Sequence, residues 1–98
     1  MQNKVYSLLG ICLTSGNLIS GESLLDAIRK HKVTLVIIAE DASDNTKKKI
    51  MDKCHYYHID YFIYGNIDDL SNSIGKHRVA VGIKSQGFSN KIKSYIGG

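Results

Sequence analysis

The 98-residue sequence predicts a three-layer α/β/α sandwich built on a mixed sheet of about four strands. Two observations support this fold class. Short β-prone runs alternate with apolar residues at helical spacing from one end of the chain to the other, and no proline, linker or repeat interrupts them. A chain of this length that is 43% hydrophobic can bury one core. We therefore expect residues 1–98 to form a single, monomeric domain.

The first half of the chain predicts two helices and two strands. Four apolar residues at helical spacing predict the first helix: Val5, Leu8, Leu9 and Cys12. This helix is expected to end near Ser15, and residues 17–20 are long enough only for a short strand. A second helix is expected to begin at Ser20 or Gly21 and to bury Leu24, Leu25, Ala27 and Ile28. Residues 34–39 (TLVIIA) are typical of a strand covered on both faces, at the centre of the sheet.

The second half predicts three more helices and two strands. Ser43 is expected to cap the third helix, whose apolar stripe comprises Ile50, Met51, Cys54 and Tyr57. Residues 61–64 predict a strand. Asn66 and Asp69 resemble a capping box at the start of the fourth helix. Residues 79–83 predict the last strand, and a closing helix is expected to bury Phe88, Ile92 and either Tyr95 or Ile96.

The charge distribution indicates a class of partner. The formal net charge is +4, and from Leu70 onward the chain has five cations and no acid, whereas its first 46 residues have five acids and four cations. A basic C-terminal third favours a polyanionic partner, although the same lysines also serve as ordinary solvated surface. We expect no membrane association and a cytoplasmic location, since the sequence has neither a long apolar run nor a signal-peptide pattern. Cys12 and Cys54 are expected to be buried, reduced thiols.

Two polar segments are candidates for binding an anion. In residues 15–24 (SGNLISGESL), Gly21 removes side-chain bulk at the predicted start of a helix, where free backbone N–H groups bind phosphate or a base edge. The alternative is ordinary turn chemistry. Lys76, His77 and Arg78 follow a helix-ending glycine and are expected to lie on an exposed loop, where cations neutralise phosphates and the imidazole stacks or hydrogen-bonds. The alternative there is a solvated loop.

The order of these segments resembles a known family. The run SGNLISGESLLDAIRKHKVTLVIIAEDASDNTKKKI, followed by CHYYHIDYFIYG, LSNSIGKHRVAVGI and GFSNKI, is similar to the YlxQ-type bacterial branch of the ribosomal-protein superfamily that binds kink-turn RNA. The resemblance covers nearly the whole chain. It implies a non-catalytic α/β/α sandwich that needs no cofactor and binds structured RNA, such as ribosomal RNA, in ribosomes or other ribonucleoproteins. It also implies RNA-binding residues, namely Asn17, Ser20, Gly21, Glu22, Ser23, Asp26, Lys30, Lys76, His77 and Arg78.

The sequence departs from the kink-turn pattern at three of these positions. Glu22, Ser23 and Asp26 stand where the family's tightest binders have Asn, Glu and Lys, whereas Lys30 matches a basic position. We therefore predict RNA binding with a weakened preference for kink-turns. A protein-interaction module of the same fold, with little RNA binding, is the alternative, since a protein interface tolerates acids at positions 22 and 26 better than an RNA site does.

Two further pairs of residues are candidates for catalysis or metal binding. Glu40 and Asp41 follow the predicted central strand, where open α/β sheets place active sites and where paired acids can hold Mg²⁺. The sequence has no glycine-rich phosphate loop to complete such a site, so we expect no enzyme activity. Cys54 and His58 share a helix face at metal-ligand spacing, but Cys12 would have to supply a third ligand. We expect Cys54 to be buried instead.

Overall fold

The computed structural model describes residues 3–97, in which five helices alternate with four strands. In chain order the elements are α1 (Lys4–Thr14), β1 (Leu18–Ser20), α2 (Ser23–Arg29), β2 (Leu35–Ile38), α3 (Asp44–Tyr57), β3 (Asp60–Ile63), α4 (Ile67–Ile74), β4 (Ala80–Ile83) and α5 (Gln86–Ile96). The predicted order of helices and strands is confirmed. The third strand lies one residue earlier than predicted, at 60–63 instead of 61–64.

The strands form one mixed sheet in the order β1-β4-β2-β3. β4 runs antiparallel to both of its neighbours, so that Gly82 pairs with Ile19 of β1 and with Val36 of β2. β2 and β3 are parallel. Every residue of β2 and of β4 is buried. The prediction that residues 34–39 hold a central strand is confirmed, and β4 is equally central.

Two apolar cores lie on opposite faces of this sheet. One contains residues of α1, α4 and α5, and the other contains residues of α2 and α3. Because side chains alternate along a strand, β2 supplies both: Leu35 and Ile37 face the first core, and Val36 and Ile38 face the second. This arrangement of helices on both faces confirms the three-layer α/β/α sandwich.

Capping interactions define several helix ends. The Oγ atom of Ser43 accepts a hydrogen bond from the backbone N–H of Thr46 at 3.2 Å, as predicted for the start of α3. Asn66 caps α4 as predicted, with its side chain accepting from the Asp69 N–H at 2.7 Å. The Asp69 carboxylate accepts from the side-chain amide of Asn66 at 3.1 Å and not from its backbone N–H, so only half of the predicted capping box is present. At the other end of the chain, Ile96 packs against the first core, and Tyr95 is the more exposed of the two candidates.

The helices are short relative to a bilayer. Across the part of the chain that the structure describes, none combines the length and the apolar character that a membrane span requires.

Candidate nucleic-acid interface

The segment between β1 and α2 begins with a left-handed glycine. Gly21 has φ +74°, and its carbonyl oxygen accepts a hydrogen bond from the N–H of Leu24 at 3.2 Å. A residue in this conformation cannot belong to a right-handed helix, so the predicted start of the second helix at Ser20 or Gly21 is wrong. α2 begins at Ser23, and Glu22 precedes it without capping it through a side-chain hydrogen bond.

The loop between α4 and β4 presents two exposed residues and one anchored residue. Gly75 ends α4 with φ +72°, and Lys76 and His77 are exposed. Arg78 is half-buried, which corrects the prediction that all three side chains lie on an exposed loop. Its backbone N–H donates to the Oγ atom of Ser71 at 2.9 Å, and that hydroxyl donates to the Arg78 carbonyl at 3.2 Å. The loop is therefore tied to α4 through both backbone groups of Arg78.

The Arg78 side chain joins the two predicted segments. Its Nε atom donates a hydrogen bond to the Oγ atom of Ser20 at 3.0 Å, and its Nη1 atom donates to the carbonyl oxygen of His77 at 2.8 Å. A Cβ atom placed on Gly21 would lie 3.3 Å from Nε and from Nη2, so glycine leaves room for the guanidinium. No hydrogen bond from Nη2 to any residue in the range 3–97 is present. One edge of the guanidinium is therefore available to a ligand.

A groove of about 410 Å³ lies beside this guanidinium, and we call it the Arg78 groove. It is lined by Gly21, Glu22, Leu24, Leu25, Thr46, Lys49, Ile50, His77, Arg78, Val79 and Ala80. Thr46 and Lys49 belong to α3, which contributes no residue to the predicted site. Lys49 is part of the lysine run at residues 47–49, and the packing of α3 against α2 brings it to the groove.

Six of the predicted residues lie outside the lining of the groove: Ser20, which accepts the hydrogen bond from Arg78, Lys76 on the adjoining loop, and four others. Asn17 is at the far end of β1, where its side-chain amide donates to the Oγ atom of Ser15 at 2.9 Å. Ser23 is exposed at the first turn of α2. Asp26 and Lys30 lie further along α2 and form an exposed ion pair at 3.1 Å.

The negative charge of Asp26 is paired with cations on the same helix and at its end. Its carboxylate contacts the side chains of both Arg29 and Lys30. Hydrogen bonds from Arg29 and then from Lys30 lower the pKa of Asp26 below its ordinary value, so it remains ionised at neutral pH. Asp26 also engages Lys30, the cation that matches a basic family position. Two neighbouring cations thus offset the negative charge of Asp26.

The candidate magnesium ligands have structural roles. The Oδ1 atom of Asp41 accepts a hydrogen bond from the N–H of Ile67 at 2.8 Å and so caps α4, while Lys47 donates to the Glu40 carbonyl oxygen at 2.9 Å. Within residues 3–97 no three His, Cys, Asp or Glu side chains converge as a metal site. Cys12 lies in the first core and Cys54 in the second, on the opposite face of the sheet. Cys12 therefore cannot complete a site with Cys54 and His58, and the prediction of two buried, unbonded thiols is confirmed.

Comparison with known proteins identifies the family. Residues 3–93 match the family model described as the ribosomal protein L7Ae/L30e/S12e/Gadd45 family. The chain belongs to this family. It is 41% identical to the RNA-binding protein YlxQ of Enterococcus faecium over 99% of this chain and 95% of that protein. It is 42% identical to the RNA-binding protein YlxQ of Bacillus subtilis (strain 168), over 93% of each chain. The predicted resemblance, and with it the prediction of a non-catalytic protein, is confirmed.

Solved structures of similar chains agree with the L7Ae-family fold. A protein of unknown function from Bacillus halodurans C superposes with a TM-score of 0.93 and 41% identity, covering 99% of this chain and all of that one. A Giardia lamblia 15.5kD RNA binding protein superposes with a TM-score of 0.74 and 17% identity, covering 99% and 88% of the two chains. At that identity the likeness shows the fold alone.

Proposed function

We propose that this protein binds structured RNA, without catalysing a reaction, through the Arg78 groove and the adjoining loop residues Lys76 and His77. The observation that carries the proposal is the hydrogen bond from Arg78 Nε to Ser20 Oγ, which brings the two predicted segments into one surface. Arginine bound in this way presents its remaining N–H edge in a fixed orientation, and a planar guanidinium suits phosphate and base-edge acceptors. The two relatives named as RNA-binding proteins support the choice of ligand.

The groove suits RNA chemically because cations surround a partly apolar floor. The cations Lys49 and Arg78 lie around it beside the imidazole of His77, and the side chains of Leu24, Leu25 and Ile50 are among its lining. Cationic groups bind phosphates, while an apolar floor accepts the face of an unstacked base. Structured RNA with a flipped or bulged nucleotide presents both features at once. We include Ser20, Gly21 and Glu22 in the site and place Asn17, Ser23, Asp26 and Lys30 at its periphery.

We also propose that the protein acts in the cytoplasm, as a single copy bound within a ribonucleoprotein such as the ribosome. The family description, which names ribosomal proteins, supports this setting. The preference for kink-turn RNA is expected to be weak, because Glu22 places a carboxylate on the groove where a phosphate or base edge would approach.

The test is a binding titration with a kink-turn hairpin and with a plain duplex of equal length, each at several salt concentrations. We expect binding that weakens with salt, together with a reduced log–log slope in Lys76→Ala. The matched control is Lys91→Ala, which removes an exposed cation from α5, on the other face of the sheet. Absence of salt-dependent binding to either RNA would contradict the proposal and favour the protein-interaction module.

A further inference from the structure

The outer face of α3 carries a cluster of basic and aromatic side chains, only one of which lines the Arg78 groove. Lys49, Lys53 and Tyr56 are spaced i, i+4 and i+7 and so lie along one face of the helix. With Asp52 and Tyr57 they line a second groove of about 440 Å³. We call this face the α3 ridge, defined by Lys49, Lys53 and Tyr56. Lys49 lines both grooves, so the α3 ridge is continuous with the Arg78 groove.

Tyr56 is unusually accessible for an aromatic side chain. It is 75% exposed, the most exposed of the large hydrophobic side chains in the part of the chain that the structure describes. Its ring nevertheless has a fixed neighbour, since it meets the Tyr57 ring edge-on with the two centroids 4.7 Å apart. Tyr57 in turn packs against the second core, and its carbonyl oxygen lies 2.9 Å from Nε2 of His31. Tyr56 thus offers an open ring whose neighbour, Tyr57, is packed against the second core.

The charges beside Tyr56 favour a polyanion. Within residues 3–97 neither Lys49 nor Lys53 forms an ion pair. The carboxylate of Asp52, which also lines the groove, is bound to Lys48 at 2.9 Å and is thereby largely compensated. Two uncompensated ammonium groups therefore flank an accessible aromatic ring.

We infer that the α3 ridge binds a single-stranded segment of RNA that continues from the Arg78 groove, with Tyr56 stacking on an unpaired base and Lys49 and Lys53 contacting the adjacent phosphates. An unpaired base has a free face for an aromatic ring, whereas the bases within a duplex are stacked on one another, so the exposed ring selects single-stranded over double-stranded RNA. The inference rests on the proposed function, because the structured part of the RNA is held in the Arg78 groove.

The experiment compares three RNAs, each at several salt concentrations: a blunt kink-turn hairpin, the same hairpin with a six-nucleotide uridine tail at each end, and the uridine hexamer alone. For the unchanged protein we expect the tails to tighten binding by about fivefold or more, the effect of one base stacked on an aromatic ring. Tyr56→Ala and Lys53→Ala should each reduce this gain and leave binding of the blunt hairpin unchanged. Lys53→Ala should also lower the salt dependence of the tail contribution by about 0.7 in log–log slope.

Two control variants match these substitutions on the other face of the sheet. Tyr95→Ala removes an exposed tyrosine and Lys91→Ala an exposed lysine, both from α5. Both controls should retain the full gain from the tails. Circular dichroism should show all four variants folded, since each substituted side chain lies outside the buried core.

The outcomes separate this inference from the proposed function. If the unchanged protein fails to bind the blunt hairpin, the proposed function is contradicted. If it binds blunt and tailed hairpins equally, or if the α5 controls lose the gain as fully as the α3 variants, only the inference about the α3 ridge is overturned. A competition measurement gives a further outcome. If a poly-glutamate peptide displaces the uridine tails from the α3 ridge as readily as the uridine hexamer does, the inference is also overturned, because the ridge then recognises negative charge, such as that of an acidic protein partner, and not an unpaired base.

Discussion

The Nε atom of Arg78 donates a hydrogen bond to the Oγ atom of Ser20 at 3.0 Å, joining residues that are 58 positions apart in the sequence. Ser20 ends an edge strand and Arg78 precedes the strand that pairs with it, so sheet formation brings the two together. A single side chain therefore both holds the loop before β4 against the β1–α2 connection and presents a cation at the groove.

This dual role predicts different effects for the two cations of the loop. Arg78→Ala should weaken binding of structured RNA and also lower the free energy of unfolding by about 1 kcal/mol, because its hydrogen bonds to Ser20 and His77 are lost. Lys76→Ala should weaken RNA binding with a change in stability within about 0.5 kcal/mol. Urea unfolding and salt-dependent titration measure the two effects. Equal stability of the variants would mean that the Arg78 contacts contribute nothing to the fold.

Restoring the family pattern on α2 should sharpen selectivity for kink-turn RNA. The triple change Glu22→Asn, Ser23→Glu and Asp26→Lys alters the net charge by +1, −1 and +2, a total of about +2. The fold should persist, since all three residues are exposed and Glu22 provides no helix cap. We expect affinity for a kink-turn hairpin to rise more than affinity for a duplex of equal length at the same salt. An equal gain for both RNAs would show that the change added only charge.

A charge-matched variant controls for this gain. Asp26→Lys alone also changes the net charge by about +2, and it replaces the acid that pairs with Arg29 and Lys30. It should increase affinity for both RNAs alike. If Asp26→Lys alone raises the affinity for the kink-turn hairpin more than that for the duplex, the residue at position 26 determines the selectivity, and the family residues at positions 22 and 23 are not needed for it.

Gly65 should be the glycine least tolerant of a side chain. Its φ is +70°, and an added Cβ would lie 2.0 Å from the hydroxyl oxygen of Tyr6. Gly65→Ala should therefore lower the free energy of unfolding by about 2 kcal/mol or more, combining backbone strain with steric overlap. Gly16→Ala is the matched control, because Gly16 has φ +76° and nothing within 4 Å of an added Cβ.

A Tyr6→Phe background separates the steric overlap between the new Cβ and the Tyr6 hydroxyl from the backbone strain of a non-glycine residue at positive φ. Removing the hydroxyl should recover part of the Gly65→Ala loss and none of the Gly16→Ala loss, as measured by chemical denaturation. If Gly65→Ala costs no more than Gly16→Ala, the contact with Tyr6 does not constrain this loop.

Asp41 should act as a helix cap and not as a metal ligand. Because its Oδ1 atom accepts from the N–H of Ile67 at 2.8 Å, Asp41→Ala should destabilise the protein by about 1 kcal/mol. Asp41→Asn retains an acceptor oxygen and should have a smaller effect.

Millimolar Mg²⁺ should not change the melting temperature of the unchanged protein. Stabilisation by Mg²⁺ that disappears in Asp41→Asn would instead show that the ion binds the native state through this carboxylate.

The two thiols should be inert in the native protein. Burial raises the pKa of both Cys12 and Cys54 to about 11, from an ordinary value near 9. At pH 8 a thiol reagent should therefore react slowly until urea unfolds the chain. Rapid labelling of the folded protein would contradict the prediction that the thiols are inert.

The raised pKa values of the two thiols also predict how stability depends on pH. Their contribution to the free energy of unfolding is fully present below about pH 9 and declines towards pH 11, since the thiols of the unfolded chain ionise first.

Local patterns predicted most of the fold. The caps at Ser43 and Asn66 depend on neighbours three residues away, and the apolar run at 34–39 identifies a covered strand by its own composition. The start of α2 was misplaced because glycine adopts left- and right-handed backbone equally readily, so the sequence around Gly21 does not decide between a turn and a helix.

The candidate site was less predictable because its contacts are long-range. The half-burial of Arg78 depends on the pairing of β1 with β4, and the presence of Lys49 at the groove depends on the packing of α3 against α2. Neither relationship has a signature in the neighbouring sequence. The resemblance to a family located the two segments, and the packing of the folded chain determined which of their side chains meet.

The position of β4 in the sheet has a consequence for when the proposed RNA surface comes into existence. β4 is the last strand along the chain, yet it lies between β1 and β2 and is the strand to which β1 pairs. A nascent chain emerging from the ribosome therefore holds residues 18–20 without their strand partner until residues 80–83 have been synthesised and inserted. Because such non-local pairing forms late, the proposed Arg78 groove is complete only after β4 has been synthesised, and we expect a chain that ends before residue 80 not to bind RNA there.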